Sequence, residues 1–163
     1  MSKTIMVIVD EILSQLGTRI VEQIKSDIKS KPVTTFGSVN ATGRLADSVR
    51  FEVSDGTLKV FALDYVYYLE HGRKPGKFPP REPIIEWIKA KGLSFDIPIN
   101  SLAFLIQRKI ARKGTTIFQQ GGSDLISSVI NRGLIDGLKS ELFEAMLNEA
   151  VSSFRSGVLK MAA

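Results

Sequence analysis

The chain has 163 residues, enough for one ordinary domain with a core and too few for two substantial ones. Apolar residues make up 44% and charged residues 24%, which is typical of a folded protein and excludes a largely disordered one. No cysteine is present, which excludes disulfides, thiolate metal sites and cysteine nucleophiles. The apolar start is too short for a signal segment or a membrane span, so we expect a soluble protein made in the cytoplasm.

The net charge of +5 is concentrated in one middle segment. Between His71 and Gly114 there are ten basic and three acidic residues, a balance of +7 that leaves −2 for the rest of the chain. Such a segment favours phosphate backbones or an acidic protein surface. Solvated Lys and Arg side chains on helices give the same count, so charge alone leaves both interpretations open.

A long amphipathic helix is predicted at the start of the chain. Apolar residues recur at steps of three and four from Val9 to Ile28, which places them on one stripe. The helix is expected to end near Ser30, with Pro32 just beyond it. The Gly, Ser and Asn residues of segment 34–41 predict a loop.

A β-hairpin is predicted after a short helix. Thr42 is expected to cap that helix, which runs through Asp47 or Ser48. Apolar and charged residues then alternate, and a second apolar run follows the dipeptide Asp55-Gly56. Because both central positions of a two-residue hairpin turn need positive φ, this dipeptide predicts an antiparallel hairpin at about 49–63.

Two further helices are predicted, one on each side of the Gly- and Pro-rich segment 72–80. Asp64 is expected to cap the first, whose Tyr65, Tyr68 and Leu69 share one face and are interpreted as core. The second is predicted for 83–91. It opens at a proline and closes at a glycine, with its isoleucines inward and Trp87 at the edge of the apolar stripe.

Three more segments complete the chain. A short extended piece is predicted at 95–99, and a helix from Leu102 ends in a run of cations that the helix macrodipole also explains. Segment 115–122 is interpreted as a polar linker. Beyond it, Ser123-Asp124 is expected to cap a helix that is broken or bent near Arg132-Gly133 and whose wide apolar face must pack on the domain or on another subunit.

These elements predict an α+β fold. A long N-terminal helix and shorter helices pack on a small antiparallel sheet, and an additional helix follows at the C-terminus. The predicted domains are an α+β domain at 1–118 and a C-terminal helical extension at 119–163.

Segment 70–80 is a rigid, basic loop by composition. It places three cations, a histidine, two glycines and three prolines in eleven residues, which suits neither a helix nor a central strand. It has some likeness to a phosphate-binding loop. A Walker motif, however, has four residues between its glycines and Ser or Thr after its Lys, whereas here three intervene and Phe78 follows Lys77. We therefore reject a nucleotide site.

No enzyme is indicated by the remaining residues. His71 is the single histidine, and the chain lacks a nucleophile-elbow pattern, so a loop histidine is favoured over a catalytic one. One His and no Cys make a zinc site improbable, and no cofactor is expected. A small hydrolase that uses His71 is the least favoured alternative.

Four pieces of the sequence, taken in order, resemble the small tail-completion and neck proteins of tailed bacteriophages, the minor components that join head to tail. They are ATGRLADSV (41–49), YVYYLEHGRKPGKFPP (65–80), IIEWI (84–88) and AFLIQRKIARKG (103–114). The resemblance covers roughly residues 40–118. Many relatives stop soon after the segment matching Gly114, whereas this chain continues for almost fifty residues.

The resemblance implies an α+β domain that assembles as a homo-oligomeric ring between the portal and the tail tube, with no catalysis, cofactor or metal. It implies a virion protein of the neck or tail, assembled in the host bacterial cytoplasm, with portal or adaptor and tail-tube proteins as partners and no membrane. Two sets of cations are expected to meet a neighbouring ring or the packaged DNA. They are Arg73, Lys74, Lys77 and Arg81, in the loop and just after it, and Arg108, Lys109, Arg112 and Lys113 on the helix.

The alternative is a basic nucleic-acid-binding regulator or packaging factor. It depends on the basic segment alone, because the sequence contains neither a recognition-helix motif nor an evident aromatic stacking platform.

Overall fold

The computed structural model describes residues 3–34, 37–38 and 42–161. The described part is mostly helical, with a long N-terminal helix, a C-terminal helix and small antiparallel pairs of strands, so the predicted α+β class is confirmed. The elements in chain order are α1 Lys3–Ser30, β1 Pro32–Thr34, β2 Gly37–Ser38, α2 Arg44–Ser48, β3 Arg50–Ser54, β4 Thr57–Phe61, α3 Val66–His71, α4 Arg81–Ala90, α5 Ile99–Lys113, α6 Thr116–Gln119 and α7 Arg132–Met161.

The chain divides into two compact units. Unit 1 combines Met1–Glu22, Arg50–Val60 and Val129–Ala163, and unit 2 combines Gln23–Val49 and Phe61–Ser128. These units group segments that are distant in sequence. The predicted domains, 1–118 and 119–163, are instead continuous in sequence, and that division stays a prediction.

The predicted N-terminal helix is confirmed and begins earlier than expected, at Lys3. Its apolar stripe is buried as the spacing predicted, and Leu16, Ile20, Ile24 and Ile28 are its most enclosed side chains. Burial of such a stripe, more than intrinsic propensity, stabilises a helix of this kind.

The β-hairpin of unit 1 is also confirmed. Strands β3 and β4 pair across Asp55 and Gly56, whose φ angles of 51° and 70° are the positive values that a two-residue turn requires. The Gly56 N–H donates to Asp10 Oδ1 of α1 at 2.8 Å, so the turn is held on the helix.

Segment 34–41 was predicted as a loop, and this is wrong where the structure describes it. Strand β1 pairs antiparallel with β2, in the register Pro32 with Ser38 and Thr34 with Gly37. Strands of two or three residues are too short to show the alternation by which a strand is identified in a sequence. The rest of this prediction lies outside the described residues.

The predicted helix starts are only partly right. Neither Thr42 nor Asp64 supplies a cap. Helix α2 follows Gly43 and α3 follows Tyr65, without a side-chain cap in either case. Helix α4 begins two residues before Pro83, which is tolerated because the first-turn N–H groups have no partner within the helix.

The predicted end of α4 is confirmed. The N–H of Gly92 donates to the carbonyl of Lys89, and the N–H of Leu93 donates to that of Ile88, both at 3.1 Å. These two bonds form a Schellman motif. The extended piece predicted at 95–99 is instead irregular up to Pro98, where α5 follows.

The segment interpreted as a polar linker contains a packed helical turn. Thr115 caps α6 by accepting from the Phe118 N–H at 3.3 Å, and Ile117 is buried. The next helix does not begin at Ser123-Asp124. Segment 125–129 forms turns, and α7 begins at Arg132 with Asn131 Oδ1 accepting from the Leu134 N–H at 3.0 Å.

Candidate interaction surfaces

The basic loop, residues 72–80, is attached along one side of α5. The N–H of Arg73 donates to Thr115 Oγ1, and the N–H of Thr115 donates back to the Arg73 carbonyl, both at 2.9 Å. Further along, the Gly76 N–H donates to the carbonyl of Ala111 at 2.9 Å. Because these bonds fix its backbone in addition to its three prolines, the loop is ordered before any partner binds.

A buried glutamine of α5, Gln107, holds the C-terminal end of the basic loop. Gln107 Nε2 donates to the Pro79 carbonyl at 2.7 Å, and its Oε1 accepts from Arg81 Nε at 3.3 Å. Gln107 is one of two buried polar side chains among the described residues. The sequence did not identify it, since a Gln on an amphipathic helix ordinarily predicts a solvated position.

Gly72 is required where the loop leaves α3. Its φ is 72°, and a Cβ at this position would overlap the backbone of Phe118 in α6. A residue with a side chain would meet both backbone strain and a steric clash. The loop therefore begins at a close crossing of two backbone segments.

The four cations of the first predicted set are not equivalent, and Arg81 is the first residue of α4. Lys74, Lys77 and Arg81 are exposed, as expected of groups that contact a partner. Arg73 is half-buried, and its guanidinium carbon lies 5.6 Å from the centre of the Tyr68 ring, within the range of a cation–π contact. Part of its role is therefore to hold the loop on α3.

The four predicted α5 cations are brought together. Arg108, Lys109, Arg112 and Lys113 are exposed and line a shallow depression of about 260 Å³ with Leu105. Successive residues of a helix are about 100° apart, so the four cations lie on a different side of α5 from positions 107, 111 and 114. Those three positions form the side that holds the basic loop. The structure thus places the two predicted sets on adjoining surfaces of unit 2.

Two exposed phenylalanines stack between these sets. The rings of Phe78 and Phe104 are 6.2 Å apart between centres and inclined by 21°, with 52% and 43% of the residues exposed. Lys77 precedes one ring, and Arg108 lies one turn after the other. Sequence reasoning missed this pair because its members come from different elements.

Glu70 has a structural role that its place beside His71 did not indicate. It is only 9% exposed and accepts hydrogen bonds from Ser127 Oγ at 2.6 Å, the Ser127 N–H at 3.0 Å and the Ile126 N–H at 2.9 Å. Burial raises the pKa of this carboxyl, but the bonds from Ser127 and the backbone outweigh burial and lower the pKa below its ordinary value. The ionised carboxylate holds segment 123–127 on α3.

His71 lies at the surface. Its ring is 4.7 Å from the centre of the Tyr67 ring, at a tilt of 58°. Among the residues that the structure describes, no group of three or more acidic or histidine side chains is placed to hold a metal ion.

An open apolar groove of about 700 Å³ lies in unit 2, between α4, α5 and the segment that leads into α3. Its lining includes Tyr65, Tyr68, Leu69, Trp87, Phe95, Leu102, Ile106, Ile110 and Ile117. The interpretation of Tyr65 and Tyr68 as core is wrong, since they are 38% and 48% exposed. Their spacing puts them on one face, and within the described residues that face lines the groove and stays partly open to solvent.

Charged groups border the groove. Arg44 and Glu86 form an ion pair with a separation of 3.7 Å, and Lys109 belongs to both the groove and the cationic depression of α5. Burial raises the pKa of the Tyr65 phenol, and the nearby charge of Arg44 partly offsets this. The groove therefore joins an apolar floor to a basic edge.

Helix α7 of unit 1 carries apolar side chains on two opposite sides. One side is half-buried and consists of Leu134, Leu138, Leu142 and Ala145. The other side is exposed and consists of Phe143, Leu147, Val151, Phe154 and Val158, which we call the α7 stripe. At about 100° per residue the two sides are about 180° apart. Phe143 and Phe154 are 68% and 75% exposed.

The chain matches no protein-family model, no curated protein and no solved structure. Across residues 3–34, 37–38 and 42–161, none of the helices combines the length and the apolar character that a membrane span needs.

Proposed function

We propose that this chain is a structural protein of the virion of a tailed bacteriophage. It is a ring-forming head-tail connector, or tail-completion subunit, that joins the portal or adaptor to the tail. The four sequence pieces between residues 41 and 114 that resemble neck and tail-completion proteins motivate the proposal. The structural observation that supports its subunit role is the α7 stripe, which leaves two phenylalanines and three aliphatic residues exposed along one helix. An apolar surface of this extent is characteristic of a subunit interface.

The basic loop supports the same role. A backbone held by Thr115 and Ala111 loses little conformational entropy when Lys74 and Lys77 meet a partner, so more of the interaction energy is available for docking. The acidic surface of a neighbouring ring, or DNA in the channel, would supply the counter-charge. This role requires no catalytic group and no cofactor.

Electron microscopy of the purified protein and of virions tests the proposal. We expect closed rings in solution and the protein at the head-tail junction of particles. A chain that stays monomeric at high concentration and is absent from particles would contradict it.

A nucleic-acid-binding regulator or packaging factor is the second candidate, and the Phe78–Phe104 pair favours it. Exposed rings beside cations are the usual means of holding single-stranded nucleic acid, in which bases stack on the rings and Lys or Arg contact phosphates. The affinity for labelled DNA, measured against salt, should then fall linearly on logarithmic axes. Phe78→Ala should weaken binding to single strands by about 1–3 kcal/mol, and Lys77→Ala should reduce the salt slope by about 1. Binding without a salt slope excludes this candidate.

A further inference from the structure

We propose that the α7 stripe of one copy of this chain occupies the apolar groove of unit 2 of the next copy. The inference deepens the proposed function, because it names the contact that would build the ring. Its starting point is that the described part of the chain carries two apolar surfaces that are open to solvent. One is a helical stripe and the other an open groove.

The stripe has the spacing of a helix that docks in a groove. Phe143, Leu147, Val151, Phe154 and Val158 follow steps of four, four, three and four. Anchors at such steps are how amphipathic helices bind apolar grooves in other proteins. Large apolar side chains on a helix are unfavourable in water unless a partner surface covers them, and those of the α7 stripe are exposed in the single chain.

The groove suits such anchors. Its volume of about 700 Å³ is sufficient for several large side chains, and Tyr65, Tyr68 and Trp87 supply aromatic walls. Aromatic rings of the helix would meet aromatic rings of the groove, and each such pair adds to the energy of simple area burial. Phe154 is the anchor with the largest exposed fraction in the stripe.

The charges of α7 and of α5 are also complementary, which favours the same contact between two copies of the chain. Segment 136–149 of α7 has four acidic residues and one basic residue, a balance of −3, whereas 108–113 of α5 has four cations and no acid, a balance of +4. Within α7, Asp136 pairs with Lys139, and Glu141 pairs with Arg19 of its own chain. Glu144, which borders the stripe, is the acid that we place against Lys109 at the edge of the groove.

The contact joins the stripe of one copy to the groove of the next. Because these are two different surfaces, each subunit offers one surface to each of its two neighbours. A heterologous contact of this kind closes into a ring when the rotation between subunits permits it. The proposal therefore connects a local feature, an uncovered helical stripe, with the symmetry that a connector requires.

Cross-linking tests the contact, and the absence of native cysteine makes it specific. Two differently tagged chains are co-expressed, one with Val151→Cys on the stripe and one with Thr116→Cys in the groove, and treated with a short bis-maleimide. We expect a cross-linked pair that contains one chain of each kind. Ser152→Cys, about 100° further round the helix, is the matched control and should give at least tenfold less product. No cross-link, or an equal yield from the control, overturns the proposal.

Substitutions supply an independent measurement. Because Phe154 is exposed in the single chain, Phe154→Asp should leave its folding intact and weaken self-association roughly thirtyfold or more, as loss of an interface anchor does. Ser156→Asp, on the opposite side of α7, should have little effect. Lys109→Glu and Glu144→Lys should each weaken association roughly fivefold and restore it when combined. Analytical ultracentrifugation gives these constants, and equal effects of the two Asp substitutions contradict the contact.

The two proposals can fail separately. Rings seen by electron microscopy without the cross-link overturn the α7 contact and leave the proposed function standing. A cross-link in a protein that is absent from virions supports the contact and contradicts the function.

Discussion

Glu70 shows how one side chain can organise a segment that has no regular structure. Its carboxylate binds two backbone N–H groups and one hydroxyl of 126–127, and its carbonyl accepts from the Ser123 N–H at 2.8 Å. The donors of 126–127 occupy both carboxylate oxygens, and a proton on either oxygen would compete with them. The ionised form is therefore the one that fits.

Glu70→Gln should destabilise the protein by about 1–3 kcal/mol, because the amide presents donors to donors in a buried place. Denaturant unfolding monitored by tryptophan fluorescence measures this loss. Glu11→Gln removes a charge at an exposed position within α1, away from either end of the helix, and should change stability by less than about 0.5 kcal/mol. Equal effects of the two substitutions would contradict the role of Glu70.

The same carboxyl gives stability a pH dependence. The pKa of Glu70 is lower in the folded protein than its ordinary value. At pH values between these two pKa values, the folded state therefore binds fewer protons than the unfolded state. The contribution of Glu70 is complete above the unfolded pKa and is lost as the pH falls through the folded pKa. Between about pH 5 and pH 3, the wild type should therefore lose stability more steeply than Glu70→Gln. Parallel pH curves for the two proteins would exclude this linkage.

At the scale of elements, the crossing of the basic loop and α6 depends on Gly72. Gly72→Ala adds a Cβ where the Phe118 backbone lies, and it places a residue with a side chain at a positive φ. The substitution should therefore lower the free energy of unfolding by well over 1 kcal/mol. Gly76→Ala is the matched control, since Gly76 also has a positive φ but open space where its Cβ would be. Thermal unfolding should show a larger loss for the first variant. Similar losses would mean that backbone strain, and not the clash, is decisive.

The elements differ in how well the sequence predicts them, and the reason is physical. The α1 helix, the hairpin and the end of α4 are specified by local chemistry, namely apolar spacing, an Asp-Gly turn and a Schellman glycine. The strands β1 and β2 and the α6 turn are specified by their neighbours. Local patterns also led to the eight candidate cations, whose contact with a partner stays a prediction. They did not indicate the Phe78–Phe104 stack or the exposure of Tyr65, because both depend on which elements meet.

At the scale of the whole molecule, the end of α7 is the segment that packs least on its own chain among the described residues. Residues 150–161 are all exposed, and they include Val151, Phe154 and Val158 of the α7 stripe. A segment that adds nothing to the core of its own chain and still carries large apolar side chains costs solubility unless a partner covers it. Its sequence therefore makes physical sense in an assembly.

Deleting 150–163 separates folding from assembly. Because none of the described residues 150–161 is even half-buried, we expect the free energy of unfolding to change by less than about 0.5 kcal/mol, while self-association is lost. Denaturant unfolding at low concentration measures the first quantity and analytical ultracentrifugation the second, with full-length Ser156→Asp as the control that keeps the stripe. A loss of more than about 2 kcal/mol would mean that the segment packs on its own chain, since removal of an uncovered helix end takes away no buried surface.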